Sequence, residues 1–142
     1  MASVVHVELG ERGYAIAVGR GELSRLARWW REANLGQRAL IVTDSNVGPL
    51  YGATVRAQLE EAGVSATSVA TVPAGEASKT IERWAELQYA AVEAGLDRTS
   101  VIVALGGGVV GDLAGFVAAT FLRGVRYVQV PTSLLAMVDS SV

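Results

Sequence analysis

The sequence predicts an α/β fold, built on a mainly parallel sheet with an N-terminal hairpin, and three observations carry that expectation. Two short unbroken apolar runs, Ala39-Leu40-Ile41-Val42-Thr43 and Val101-Ile102-Val103-Ala104-Leu105, have the pattern of strands covered on both faces. Stretches of helical apolar period lie between and after them. Glycines cluster where an apolar strand gives way to a helix, above all at Gly106-Gly107-Gly108. Alternation of this kind argues for parallel strands joined by right-handed crossovers.

Val4 to Leu9 and Tyr14 to Val18 read as two strands, and the polar, glycine-bounded Gly10-Glu11-Arg12-Gly13 between them suits a hairpin. From Glu22 to Ala33, Leu23, Leu26, Ala27, Trp30 and Ala33 recur at helical spacing with arginines elsewhere, which predicts a helix packed on a sheet. Asp44-Ser45-Asn46 closes the first buried strand. Tyr51, Val55, Leu59 and Ala62 then mark a helix that Gly63 ends. Ser68 to Val72 alternates as a strand, Pro73-Ala74-Gly75 breaks the chain, and Ile81, Trp84, Ala85, Ala91 and Val92 mark a helix ending near Gly95. Beyond the second buried strand come a helix from about Val109 to Phe121, a strand from Arg126 to Val130, and a last helical stretch opened by Pro131-Thr132-Ser133. No repeat, low-complexity tract or linker divides the 142 residues, so residues 1–142 are expected to form one domain.

Composition excludes several classes of function. Twelve Lys plus Arg against fourteen Asp plus Glu give a net charge of −2, so no polyelectrolyte attraction to nucleic acid or anionic membrane is expected. Without cysteine there is no disulfide framework or thiol nucleophile, and the first residues lack a signal peptide's basic and apolar regions; a cytoplasmic location is expected. The mean hydropathy of +0.35 is high for a chain with only 18% charged residues. Thr99 to Leu122 carries a single charge, Asp112, and has the length of a membrane span. The glycines around that acid, with β-branched residues before them and an Ala/Leu/Phe stretch after, read instead as strand, turn and helix. No membrane segment is expected.

The strongest chemical signal is Leu105-Gly106-Gly107-Gly108-Val109-Val110-Gly111-Asp112. Glycines between a buried strand and a helix let the backbone approach a bulky anion, and free amides at a helix start suit a pyrophosphate. The same glycines also serve tight strand-to-helix packing. Gly106, Gly108 and Gly111 satisfy G-x-G-x-x-G, but after a late strand, and Pro131 stands near where a ribose-binding acid is expected. An acid does end an earlier strand: Asp44, with Asn46 two residues on, suits a ribose or adenine, or equally a helix cap. Glu76-Ala77-Ser78-Lys79 holds the chain's single lysine and reads either as a helix start or as a cofactor contact. Arg123 could fork onto a phosphate or simply end a helix in solvent. His6 is the single histidine and lies far from these motifs, so neither a metal site nor a Ser-His-Asp triad is expected.

Pro73-Ala74-Gly75-Glu76-Ala77-Ser78-Lys79-Thr80, Ala104 to Asp112, Arg123 to Thr132 and Val138-Asp139-Ser140-Ser141-Val142, in that order, resemble the N-terminal half of the 3-dehydroquinate synthase family. The resemblance implies a Rossmann-like NAD-binding domain. It also implies a second, mostly helical domain, absent from this chain, that supplies the ligands of a divalent zinc or cobalt ion. Position by position, Asp44 and Asn46 match contacts on the NAD ribose and adenine side, and Glu76 and Lys79 match further cofactor contacts. Gly107, Gly108, Val109 and Asp112 match the pyrophosphate loop, and Thr132 and Ser133 a hydroxyl pair near the nicotinamide side. Arg123 and Asp139 match substrate contacts. Ser133 stands where the family more often has Thr, and Met137 where it often has Gln.

The activity so implied converts 3-deoxy-arabino-heptulosonate 7-phosphate to 3-dehydroquinate plus phosphate in the shikimate pathway, with NAD oxidising and then reducing the same substrate. A homodimer is implied for the full-length protein. The chain ends inside an apolar helical pattern where the family continues, so it is expected to be the cofactor domain alone, inactive by itself. A face near Leu134, Leu135, Met137 and Val138 is then expected to be exposed. The competing readings are another sugar-phosphate cyclase, a metal-dependent glycerol or alcohol dehydrogenase, and a nucleotide-binding module that catalyses nothing.

Overall fold

The computed structural model describes residues 2–142. The chain opens with an antiparallel hairpin of β1 (Ser3–Val7) and β2 (Tyr14–Val18), paired from Ser3 with Val18 to Val7 with Tyr14. A 3-10 turn (Glu22–Arg25) leads into α1 (Leu26–Glu32), followed by β3 (Arg38–Asp44), α2 (Gly48–Glu61) and β4 (Ala66–Val72). Next come α3 (Ile81–Glu93), β5 (Val101–Gly106), α4 (Gly108–Thr120) and β6 (Arg126–Pro131), and the chain closes with a π-helical turn (Ala136–Ser140). The last four strands form one wholly parallel sheet in the order β4-β3-β5-β6.

β3 and β5 are central, and every residue of Ala39–Thr43 and Val101–Leu105 is buried, as their unbroken apolar runs predict. Alternation then sorts the two layers. Leu40, Val42, Ile102 and Ala104 pack against Leu87 and Ala91 of α3 and against Val110, Leu113, Ala114 and Val117 of α4. Ala39, Ile41, Val101, Val103 and Leu105 pack on the other face against Leu26 and Trp30 of α1 and Val55 and Leu59 of α2. Thr43, the polar member of the β3 run, is fully buried and donates to the Leu105 carbonyl at 2.8 Å. From β3 the chain steps outward to β4, then crosses back over β3 to β5 and continues to β6. The direction of winding therefore reverses between β3 and β5, the place where open α/β sheets bind ligands at their C-terminal edge.

Several boundaries differ from the sequence expectations. The expected helix at Glu22–Ala33 splits into the 3-10 turn and α1; Leu26, Ala27 and Trp30 are buried while Ala33 is exposed. α2 starts earlier, with Pro49 in its first turn, where a missing N–H is harmless. Its expected stripe narrows to Val55 and Leu59, with Tyr51 exposed. Ile81 and Val92 of α3 also face solvent. The hairpin does not join the central sheet, and most of its residues are exposed. No helix among the described residues is long and apolar enough to cross a membrane; the run from Thr99 to Leu122 is divided between β5 and the 13-residue α4.

Candidate functional site

The parallel register brings four loops to one edge. Asp44 lies opposite Val72, Thr43 opposite Leu105, and Gly106 opposite Pro131, so β3, β4, β5 and β6 end side by side. Each expected cofactor residue follows one of these ends, and the switch point lies among them.

The loop after β5 is shaped by close approach. A Cβ on Gly106 would stand 2.7 Å from Val110 Cγ2, inside contact distance, so the turn into α4 needs glycine there. At Gly107 and Gly108 the nearest atoms to such a Cβ would be Ser133 Oγ at 3.4 Å and Ser140 Oγ at 3.5 Å, so these two glycines keep a cradle open rather than relieve a clash. The first backbone bond of α4 runs from Gly111 N–H to the Gly107 carbonyl at 3.0 Å. The amides of Gly108, Val109 and Val110 precede that ladder, at the positive end of the helix.

Around the loop the other ends are tied together. Thr132 N–H donates to the Gly106 carbonyl at 2.9 Å, and Ser133 Oγ accepts from Ala136 N–H at 3.2 Å, so the Thr132-Ser133 pair is fixed beside the cradle. Asp44 Oδ1 accepts from Asn46 N–H at 2.9 Å and Val47 N–H at 2.8 Å. This acid therefore closes the turn ahead of α2 rather than capping it, since the N-cap is Val47 and no side chain caps the helix. Ser45 Oγ accepts from Ala74 N–H at 2.9 Å, holding the β4 loop against the end of β3. In that loop Lys79 Nζ reaches across to Asp112 Oδ2 at 2.6 Å and approaches Glu76 Oε1 at 3.8 Å. The hydrogen bond and charge of Asp112 hold the Lys79 ammonium above the usual lysine range. Asp139, in the π-helical turn, is exposed on the same side of the molecule, one residue before the Ser140 that faces Gly108.

Arg123 does not join this cluster. It follows α4, whose 13 residues run about 20 Å from the glycine loop back to the start of β6. It therefore stands at the opposite edge of the sheet, exposed, with no ion pair or side-chain hydrogen bond among the described residues. Tyr127 and Gln129, outside the residues expected in the site, project from β6 toward Gly111. Their period-two spacing on a strand facing α4 was the available signal.

The donor set fits a dinucleotide: a glycine cradle that a Cβ would fill, free helix-start amides beside it, and an acid at a neighbouring strand end. It does not fit a metal, since no three His, Cys, Asp or Glu side chains cluster among the described residues.

Residues 69–142 match the family described as 3-dehydroquinate synthase N-terminal. The chain belongs to the 3-dehydroquinate synthase family. The curated 3-dehydroquinate synthase of Symbiobacterium thermophilum is 59% identical over 137 residues, and that of Desulforamulus reducens 50% over 138. These alignments take in 96% and 97% of this chain but 38% of each relative, so the chain spans about 38% of the length of these synthases. Among solved structures, a 2-deoxy-scyllo-inosose synthase crystallised with carbaglucose-6-phosphate, NAD+ and Co2+ superposes with TM-score 0.87 at 25% identity, over 97% of this chain and 38% of that one. A 2-epi-5-epi-valiolone synthase from Streptomyces hygroscopicus, with NAD+ and Zn2+ bound, gives 0.68 at 33% identity over 82% of this chain and 32% of that one. Glycerol dehydrogenase from Schizosaccharomyces pombe, at TM-score 0.56 and 19% identity, shares the fold alone. The Rossmann-like architecture of the synthase family is thus the one this chain adopts.

Proposed function

We propose that this chain is the NAD-holding part of a 3-dehydroquinate synthase that turns 3-deoxy-arabino-heptulosonate 7-phosphate into 3-dehydroquinate and phosphate, and that it is inactive without the rest of the enzyme. The observation that carries this reading is the convergence of four strand ends at the switch point around an open glycine cradle. In it the amides of Gly107, Gly108 and Val109 bind the pyrophosphate, Asp44 and Asn46 the ribose and adenine side, and Glu76, Lys79, Asp112, Thr132 and Ser133 the remaining cofactor groups. Bound NAD supplies a reversible hydride acceptor. Asp139 approaches the substrate from the same edge. The divalent ion, zinc or cobalt, takes its ligands from chain beyond these residues, which hold no such set.

Arg123 supports a homodimer of the full-length enzyme. About 20 Å from the glycine loop, it cannot serve a substrate held at the NAD edge of its own chain. Its guanidinium fits a phosphate or carboxylate only if a second copy receives it. A cytoplasmic location is part of the same proposal.

Two measurements test this. NAD titrated into the 142-residue protein by calorimetry is to bind, and Gly107→Val, which fills the cradle, is to abolish binding. Phosphate release from the heptulosonate phosphate is to be absent with this chain plus NAD and zinc or cobalt, and present with the full-length protein. Turnover by the 142 residues alone would show that the fragment reading is wrong, and a full-length protein active on another sugar phosphate would move the assignment to a sister cyclase.

A further inference from the structure

Behind the glycine loop lies a small, partly open cavity between the loop and the turn after β6. Tyr127 and Gln129 stand side by side on β6, opposite Ile102 and Ala104, and so face α4. The Tyr127 ring lies over Gly115, where a Cβ would meet it at 3.4 Å, and its hydroxyl donates to the Gly111 carbonyl at 2.6 Å. Burial, reinforced by the nearby Asp112 charge, pushes this phenol's pKa up, so it remains a neutral donor. Gln129 Oε1 sits 3.6 Å from the position of a Cβ on Gly111, and its Nε2 donates to the Ser141 carbonyl at 3.4 Å. A side-chain amide can make about four hydrogen bonds. Gln129 makes this single long one among the described residues, and it lines a cavity of about 10 Å³ shared with Gly106, Gly107, Gly111, Ser140 and Ser141. Its walls are mostly apolar, and its size leaves room for no more than about one water molecule, so the Gln129 amide is the chief polar group facing the turn.

We infer that Gln129 is a positioning residue that couples the glycine loop to the Asp139–Ser141 turn, its amide packed against Gly111 and bonded to the Ser141 carbonyl across this cavity. The inference rests on the reading of the glycine loop as the NAD site and of Asp139 as a substrate contact. One wall of the cavity is the back of the cradle and the other is the turn that carries Asp139, so a single side chain sets the spacing of cofactor and substrate. Tyr127 touches the loop wall alone.

The two residues therefore separate in the full-length enzyme. Gln129→Met, similar in length but without the amide, is to raise both the NAD dissociation constant and the KM for the sugar phosphate about tenfold, the factor one ordinary hydrogen bond is worth. Turnover at saturation and thermal stability are to change little. Gln129→Asn, which keeps the amide one methylene short, is to shift both constants in the same direction, whereas Tyr127→Phe is to weaken NAD alone. Hydrogen exchange of the unaltered enzyme needs no variant: NAD is to protect the amides of 139–141 together with those of 107–109. Protection confined to the glycine loop, or unchanged NAD and substrate constants in both Gln129 variants, would overturn the coupling. A full-length protein that neither binds NAD nor releases phosphate would instead defeat the functional reading on which it rests.

Discussion

Gly106 and Gly107 are adjacent, yet the structure gives them different work. An alanine at 106 would drive its Cβ to 2.7 Å from the buried Val110, and overpacking of this kind costs about 1–3 kcal/mol. Gly106→Ala is expected to lower the melting temperature by roughly 5–10 °C in a calorimetric scan. At Gly107 the nearest neighbour of a new Cβ is Ser133 Oγ at an ordinary 3.4 Å, so Gly107→Ala is expected to melt with the unaltered protein while binding NAD more weakly. A large stability loss at 107 and none at 106 would mean that the loop is built differently. A second residue-scale cost lies at the far end of α4, where Leu122 and Arg123 have φ of 49° and 67° ahead of Gly124 at 111°. Left-handed backbone costs a side-chain-bearing residue roughly 1–2 kcal/mol, part of which glycine returns through its freer unfolded chain. Leu122→Gly is expected to stabilise the protein by about 0.5–1 kcal/mol, measured as a higher urea midpoint at unchanged slope.

Elements meet at the cofactor edge through the Lys79–Asp112 pair, which joins the loop after β4 to the first turns of α4. The lysine's folded pKa is raised, so its contribution is complete below the ordinary value of 10.5 and is lost as pH climbs through the raised value. The difference in urea midpoint between the protein and Lys79→Met is therefore expected to be flat from neutral pH to about 10 and to close above it. The pair is solvent-exposed, so the difference is also expected to shrink with salt. A difference that widened with alkali would contradict the pairing. This contact was not legible in the sequence, because its partners are 33 positions apart and meet only once β4 and β5 are arranged around β3. The central strands were legible, since a strand covered on both faces leaves an unbroken apolar run. The displacement of Arg123 follows from arithmetic on the helix: the glycine loop and Arg123 are neighbours in the chain, but α4 between them carries the arginine to the other edge. For α3 the periodicity marked a helix without telling which apolar residues turn inward, because Ile81 and Val92 lie off the Leu87–Ala91 side.

For the molecule as a whole, the high mean hydropathy has two sources. The doubly covered sheet accounts for one. The other is apolar surface: Leu134, Leu135, Met137 and Val138 are 76%, 71%, 50% and 66% exposed, as expected, and the hairpin adds Val5, Tyr14 and Val18. A contiguous exposed apolar patch marks an interaction face. The face of Leu134 and Leu135 adjoins the cofactor edge, and under the proposed function the rest of the synthase packs on it. The same substitution must then have opposite consequences in two contexts. In the 142-residue chain, Leu134→Ser with Leu135→Ser removes exposed apolar surface and leaves the core untouched, so sedimentation is expected to show less self-association at an unchanged melting temperature. In the full-length enzyme the two side chains are buried, and burying one leucine contributes about 1.5–3 kcal/mol, so the pair is expected to cost roughly 3 kcal/mol or more of stability. An equal and negligible effect in both proteins would leave this face uncovered in the enzyme and would move the domain contact elsewhere, with the exposed side of the hairpin as the remaining large apolar surface at the start of the chain.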